Sequence, residues 1–138
     1  MTIKEATPYL FFQGQATAAI ELYQKALGAK IEGIQHYSEM PGAGPEDCKG
    51  HVMHALLRLG ETKIMLSDLP PGETLSQGCR VEIALAFDDP DEMTRSFRAL
   101  AEGGRVRMDL QDAFWGDRFG TLVDPFGIEW MFSAPLRR

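Results

Sequence analysis

Asp112-Ala113-Phe114-Trp115-Gly116-Asp117-Arg118-Phe119-Gly120 and, three residues on, Asp124-Pro125-Phe126-Gly127-Ile128-Glu129-Trp130 form the most informative stretch of this 138-residue chain. Asp124 to Gly127 reads as a tight turn, because Pro125 fixes its own φ and Gly127 tolerates a positive φ before a last strand begins. That reading needs no ligand. In the segment before it, Phe114 and Trp115 could line a cavity while Arg118 presents a planar, permanently charged fork to a carboxylate or phosphonate. The same arginine could instead sit in a structural loop, paired with Asp117, Asp112 or a backbone carbonyl.

Outward from that stretch the chain repeats itself. Trp130-Met131-Phe132-Ser133 matches Ile64-Met65-Leu66-Ser67 in pattern and in position within its half. The first half reads as an extended run at Tyr9 to Phe12, then a helix with Ile20, Tyr23 and Leu27 at helical spacing, closed by Gly28. Ile31 to Tyr37, Val52 to Leu59 and Lys63 to Leu66 read as three more strands, separated by a Gly- and Pro-rich loop (Met40 to Gly50) and a Gly60-Glu61 turn. The second half opens with Val81 to Phe87 and an acidic helix entrance at Asp88-Asp89-Pro90-Asp91, with Met93, Phe97, Leu100 and Ala101 on one helical face. A shift of 74 residues lays Ala19, Tyr23 and Ala26 over Met93, Phe97 and Leu100. The expectation is one α+β domain of two tandem βαβββ modules, about 3–69 and about 80–138, with a linker at about 70–79. Their sheets are expected to curl together around a shared cavity.

Composition narrows the function. With 44% hydrophobic residues the chain can bury one good core, and a net charge of -6 offers no basic field for nucleic acid. No apolar run reaches the ~20 residues of a membrane span, and Met1-Thr2-Ile3-Lys4-Glu5 is too polar for a signal peptide, so no membrane partner and a cytoplasmic location are expected. Cys48 and Cys79 lack the spacing of a redox or zinc motif and are read as reduced. There is no Gly-rich phosphate loop, GxSxG elbow or HExxH helix.

The two quoted segments, with Tyr9-Leu10-Phe11-Phe12, Ala19 to Leu27, Val52-Met53-His54-Ala55 and Ile64 to Asp68, closely resemble the PhnB-like branch of the vicinal oxygen chelate superfamily. That superfamily includes glyoxalase I, fosfomycin-resistance proteins and extradiol dioxygenases. Relatives of this branch are often labelled demethylubiquinone methyltransferases, yet no glycine-rich cofactor loop follows a strand here. Relatives commonly form homodimers, and open sheet edges give a physical motive, so a homodimer is expected.

Metal-dependent members place one ligand on the first and one on the last strand of each module, usually His, Gln or Glu. The module alignment puts those positions at Pro8, Met65, Glu82 and Met131. Only Glu82 could serve a hard cation, since proline has no donor and a thioether is soft. The resemblance therefore implies a fold retained without its metal, and no cofactor. His51 and His54, three apart on a strand, face opposite ways unless a bulge intervenes. His54 reads as a cavity-facing hydrogen-bonding or acid-base group or as a satisfied core residue, and Glu82 as a buried base or as an exposed strand-end carboxylate.

Two functions follow. One is a small-molecule-binding protein whose cavity draws on Leu10, Phe12, His54, Met65, Ser67, Glu82, Trp115, Arg118 and Met131 for a small organic ligand. The other is a metal-dependent or metal-independent lyase or isomerase acting on a small organic substrate, with Glu82 or His54 as the proton-transfer group and any metal held by residues other than those at the four aligned positions.

Overall fold

The computed structural model describes residues 5–39, 50–70, 72–74, 81–114 and 116–136. Cys48, Cys79 and Trp115 lie outside them. The chain divides into two compact units, Met1–Gln77 and Gly78–Arg138. The first contains β1 (Tyr9–Phe12), α1 (Ala16–Leu27), β2 (Lys30–His36), a 3-10 turn (Tyr37–Glu39), β3 (Val52–Leu59) and β4 (Thr62–Asp68). The second contains β5 (Ile83–Ala86), α2 (Pro90–Ala101), β6 (Arg105–Asp112), β7 (Asp117–Val123) and β8 (Glu129–Pro135).

Each unit is a βαβββ module with a four-stranded mixed sheet, ordered β1-β4-β3-β2 in the first and β5-β8-β7-β6 in the second. The first strand of each runs parallel to the last, which a helical crossover permits, and the remaining pairs are antiparallel. Helix ends follow local chemistry. Gly28 takes φ 69 as the left-handed cap of α1, and Asp89 caps α2 by accepting from the Asp91 N–H at 3.0 Å, with Pro90 in the first turn.

In each unit the helix covers one face of the sheet. Ala19, Ile20 and Tyr23 are buried with Leu10, Phe12, Leu57 and Leu66 in the first, and Met93, Phe97 and Leu100 with Leu122, Trp130 and Phe132 in the second. Burial alternates along the strands, so Met65 and Met131, flanked by buried neighbours, project from the opposite face.

Strand registers correct the uniform 74-residue repeat. The helices are offset by 74, but Tyr9 pairs with Met65 while Ala84 pairs with Met131, so the first strands are offset by 75 and the last by 66. The strand-to-helix connection is one residue shorter in the second unit. Pro8 therefore corresponds to Ile83, and Glu82 to Thr7, rather than to each other. Two further expectations shift. Asp117 to Gly120 belong to β7 and not to a loop, and the strand expected at Val81 to Phe87 shortens to Ile83–Ala86.

Candidate functional site

The helix-free face of the first sheet can be written as a grid from the pairing. Tyr9, Met65, Leu56 and Gly33 lie side by side across β1, β4, β3 and β2. One step along the strands, Phe11 pairs with Ser67 and His54 with Gln35, and the β3–β4 register extended by one residue sets His54 beside Ser67. A bulge at Met53, between the Gln35–His54 and His36–Val52 pairs, decouples His54 from His51. His51 packs instead beside Gly14, where an added Cβ would meet its ring at 3.3 Å.

Tyr9 organises this face. Its hydroxyl lies 3.1 Å from His54 Nδ1, and its ring stacks on Phe11 with centroids 4.8 Å apart and planes 10° from parallel. Tyr9 and Phe11 stay 37% and 46% exposed, whereas Leu10 and Phe12, the neighbours expected to line a cavity, are 9% and 1% exposed in the helix-side core. Ser67 is buried and donates to the Asp68 carbonyl at 2.8 Å, an oxygen that also accepts from the Tyr37 hydroxyl at 3.0 Å. Burial raises the Tyr37 phenol above its usual range, with the Asp68 carboxylate adding to the effect and the Ser67 hydroxyl opposing it.

The second sheet repeats the grid with different occupants. Ala84, Met131, Thr121 and Met108 form one row, and Ala86, Ser133, Phe119 and Gln111 the next. Alanines thus stand where the first unit has Tyr9 and Phe11, while methionine and serine recur at equivalent places on the last strand. A hollow of about 360 Å³ opens beside this face, lined by Met108, Gln111, Asp112, Ala113, Phe114 and Phe119.

Two expected residues stand elsewhere. Glu82 is exposed ahead of β5, and its Oε2 accepts from Arg107 Nη1 at 3.1 Å, while the same nitrogen reaches Glu129 Oε1 at 2.7 Å. It is not the buried carboxylate that one reading of the sequence offered as a base. Arg118 reaches the helix side, donating from Nε to Asp112 Oδ1 at 2.8 Å and from Nη1 to Thr94 Oγ1 on α2 at 3.2 Å, with Asp91 3.7 Å away. The Asp112 hydrogen bond holds its proton more firmly still. Its fork serves the β6–β7 hairpin and the start of α2.

A divalent ion needs several hard donors converging on one point. Among the described residues no three or more His, Cys, Asp or Glu side chains are grouped to hold one. Of Pro8, Met65, Glu82 and Met131, the one hard donor is already shared with Arg107. With the register corrected, Ile83 and Ala84 bring no donor either. These residues do not fit the metal.

The sequence reading missed Tyr9 and Phe11 as face residues and chose Leu10 and Phe12. All four are apolar or aromatic, so alternation is invisible in this strand. The usable signal was the phenol, because a tyrosine favours the wetter of two faces.

This fold, a tandem pair of βαβββ units each with one helix-free face, defines a class of protein. The chain belongs to the glyoxalase/bleomycin resistance protein/dioxygenase superfamily, whose sequence profile matches residues 7–132. Protein YjdN of Escherichia coli is 33% identical to it, over 93% of either chain. Protein PA1353 from Pseudomonas aeruginosa has a crystal structure matching at TM-score 0.87 with 35% identity, over 98% of this chain and 100% of that one. A PhnB protein from Bacillus cereus matches at TM-score 0.80 with 24% identity, over 95% and 99% of the two chains, which is a likeness of fold.

Proposed function

We propose that this chain binds a small organic molecule on the helix-free face of its sheets, without the divalent metal of its metal-dependent relatives. The carrying observation is the lining of that face in the first unit. Leu56, Met65 and the Tyr9–Phe11 stack supply apolar surface, and the Tyr9–His54 hydrogen bond supplies one oriented polar pair. Small-molecule sites have this makeup, mostly apolar with a few placed polar groups. Met131, Ser133 and Thr121 offer a related surface in the second unit. Phe12 and Arg118 support these faces from behind, and Glu82 sits at the margin.

The lyase or isomerase reading keeps one supporting observation, the same Tyr9–His54 pair, with His54 as the proton-transfer group. A cytoplasmic homodimer is part of the proposal, motivated by the exposed edge strands β2 and β6, and light scattering giving twice the chain mass tests it. The binding itself is tested with a fragment library. Hits should raise the thermal midpoint and shift NMR signals of Met65 and His54 or of Met131 and Ser133. A library without hits, or hits confined to the helix side near Arg118, overturns it.

A further inference from the structure

We infer that the ligand of the first unit's helix-free face is a planar aromatic molecule bearing a hydrogen-bond-accepting oxygen, and that Tyr9 positions His54 to bind that oxygen. This rests on the small-molecule reading above and names its ligand class.

The placement of Tyr9 is the first support. It stands on β1 and its partner His54 on β3, with β4 between them, so the phenol reaches over β4 across two strand spacings of about 4.8 Å each. Ser67, on β4 between Phe11 and His54, is only 5% exposed although it points to the helix-free face. A tyrosine held at its tip by an imidazole and along its ring by Phe11 is fixed at both ends.

The second support is what this fixed pair presents. On this inference the Tyr9 hydroxyl donates to His54 Nδ1, since a phenol is a good donor and a neutral imidazole nitrogen a good acceptor. The neutral ring then carries its proton on Nε2, and among the described residues that nitrogen has no hydrogen-bond partner. A protonated ring also donates from Nε2, so in either state the face offers a donor there. The complementary ligand group is an acceptor oxygen: a carbonyl, a carboxylate or a phenolate.

The rings set the remainder of the ligand. Phe11, Tyr9 and His54 form a row with centroid separations of 4.8 and 5.9 Å, and the first two remain open to solvent. Aromatic rings pair in offset or edge-to-face contact at centroid distances of about 4.5–7 Å, so a further ring extends the row at the spacing it already has. A ring that joins the row at its His54 end brings an oxygen on a short substituent within reach of that imidazole. On the second sheet Ala84 and Ala86 occupy the positions of Tyr9 and Phe11, so the signature belongs to the first unit.

Three probes separate the two requirements: acetophenone has both ring and oxygen, ethylbenzene lacks the oxygen, and cyclohexyl methyl ketone lacks the aromatic ring. Each is titrated into the full chain, with Met65 methyl and His54 ring signals followed by NMR. Acetophenone is expected to bind at this face about five-fold more tightly than either analogue, roughly what one neutral hydrogen bond or one aromatic pair contributes. Nitrogen shifts of the free protein should show His54 protonated on Nε2. Tyr9→Phe should mix the tautomers and lose about five-fold for acetophenone while leaving ethylbenzene unchanged, a split that loss of packing alone does not produce. Equal affinity for the three probes, or a His54 ring protonated on Nδ1 alone, overturns the inference. If other fragments bind at the sheet faces and acetophenone does not, the ligand class fails while the small-molecule reading stands. If no fragment binds, both fall.

Discussion

Asp124 reads as one member of a turn motif, yet the structure makes it an anchor for the whole end of the second unit. It is 2% exposed; one carboxylate oxygen accepts from the Phe126 and Ile128 N–H groups at 2.9 and 3.0 Å, and the other from the buried Trp130 indole at 3.0 Å. Asp68 does comparable work in the first unit, accepting from the Ala16 and Val52 N–H groups and so tying the start of α1 to β3. Removing such an acceptor strands buried donors, so Asp124→Ala should cost about 3 kcal/mol in urea denaturation. A loss below about 0.5 kcal/mol would refute the anchoring role. Tyr37 supplies a pH prediction. Its phenol pKa is raised above the ordinary value of 10.0, so the folded chain keeps a proton that the unfolded chain has already lost. Stability from this group is complete below pH 10 and falls as pH climbs from there through the folded value. Relative to Tyr37→Phe, the parent protein should hold a constant stability difference from pH 7 to 9 and lose ground above pH 10 in denaturation series. Neither role was legible in the sequence, because partners such as Val52 for Asp68 are supplied by folding.

At the scale of elements, periodicity revealed the two helices and most strands, and failed where a strand carries no alternation. Tyr9-Leu10-Phe11-Phe12 is apolar throughout, so its facing is set by pairing with β4, in which Leu10 joins Leu66 and Phe12 joins Asp68. The one-residue difference between the helix and strand offsets had the same effect. It moved the residue equivalent to Pro8 from Glu82 to Ile83, and a one-residue slip exchanges the faces of a strand. The facing of β1 is directly measurable. Phe12→Ala should cost about 3–5 kcal/mol, as expected for truncating a fully buried ring, and Phe11→Ala no more than about 1 kcal/mol, since that ring is 46% exposed. Comparable losses at the two positions would mean that β1 presents its other face to α1.

For the molecule as a whole, the duplicated scaffold and the diverged faces answer to different constraints. The helix-side rows, Leu10 with Leu66 and Leu85 with Phe132, keep apolar bulk in both units because each helix needs a surface to cover. The helix-free rows are released from that demand, so alanines can stand at the positions equivalent to Tyr9 and Phe11 without loss of the fold. This is why the fold was legible in the sequence while the facing of the candidate site was not: the run Tyr9 to Phe12 does not separate Tyr9 and Phe11 from Leu10 and Phe12, and the register with β4 decides between them. The same division makes a thermodynamic prediction about metals. An ion held only by the folded state at a concentration 100 times its Kd adds about 2.7 kcal/mol of stability, which for a chain of this length corresponds to a rise of several degrees in Tm. Dialysis against EDTA, followed by addition of Mn²⁺, Ni²⁺ or Zn²⁺, should therefore leave Tm unchanged within about 1 °C, because the candidate positions carry one carboxylate and Arg107 already pairs with it. A drop of several degrees with EDTA, restored by one ion and accompanied by about one equivalent of that ion per chain in elemental analysis, would mean that a donor set other than Pro8, Met65, Glu82 and Met131 assembles in the folded protein, and would return glyoxalase-like or dioxygenase chemistry to consideration.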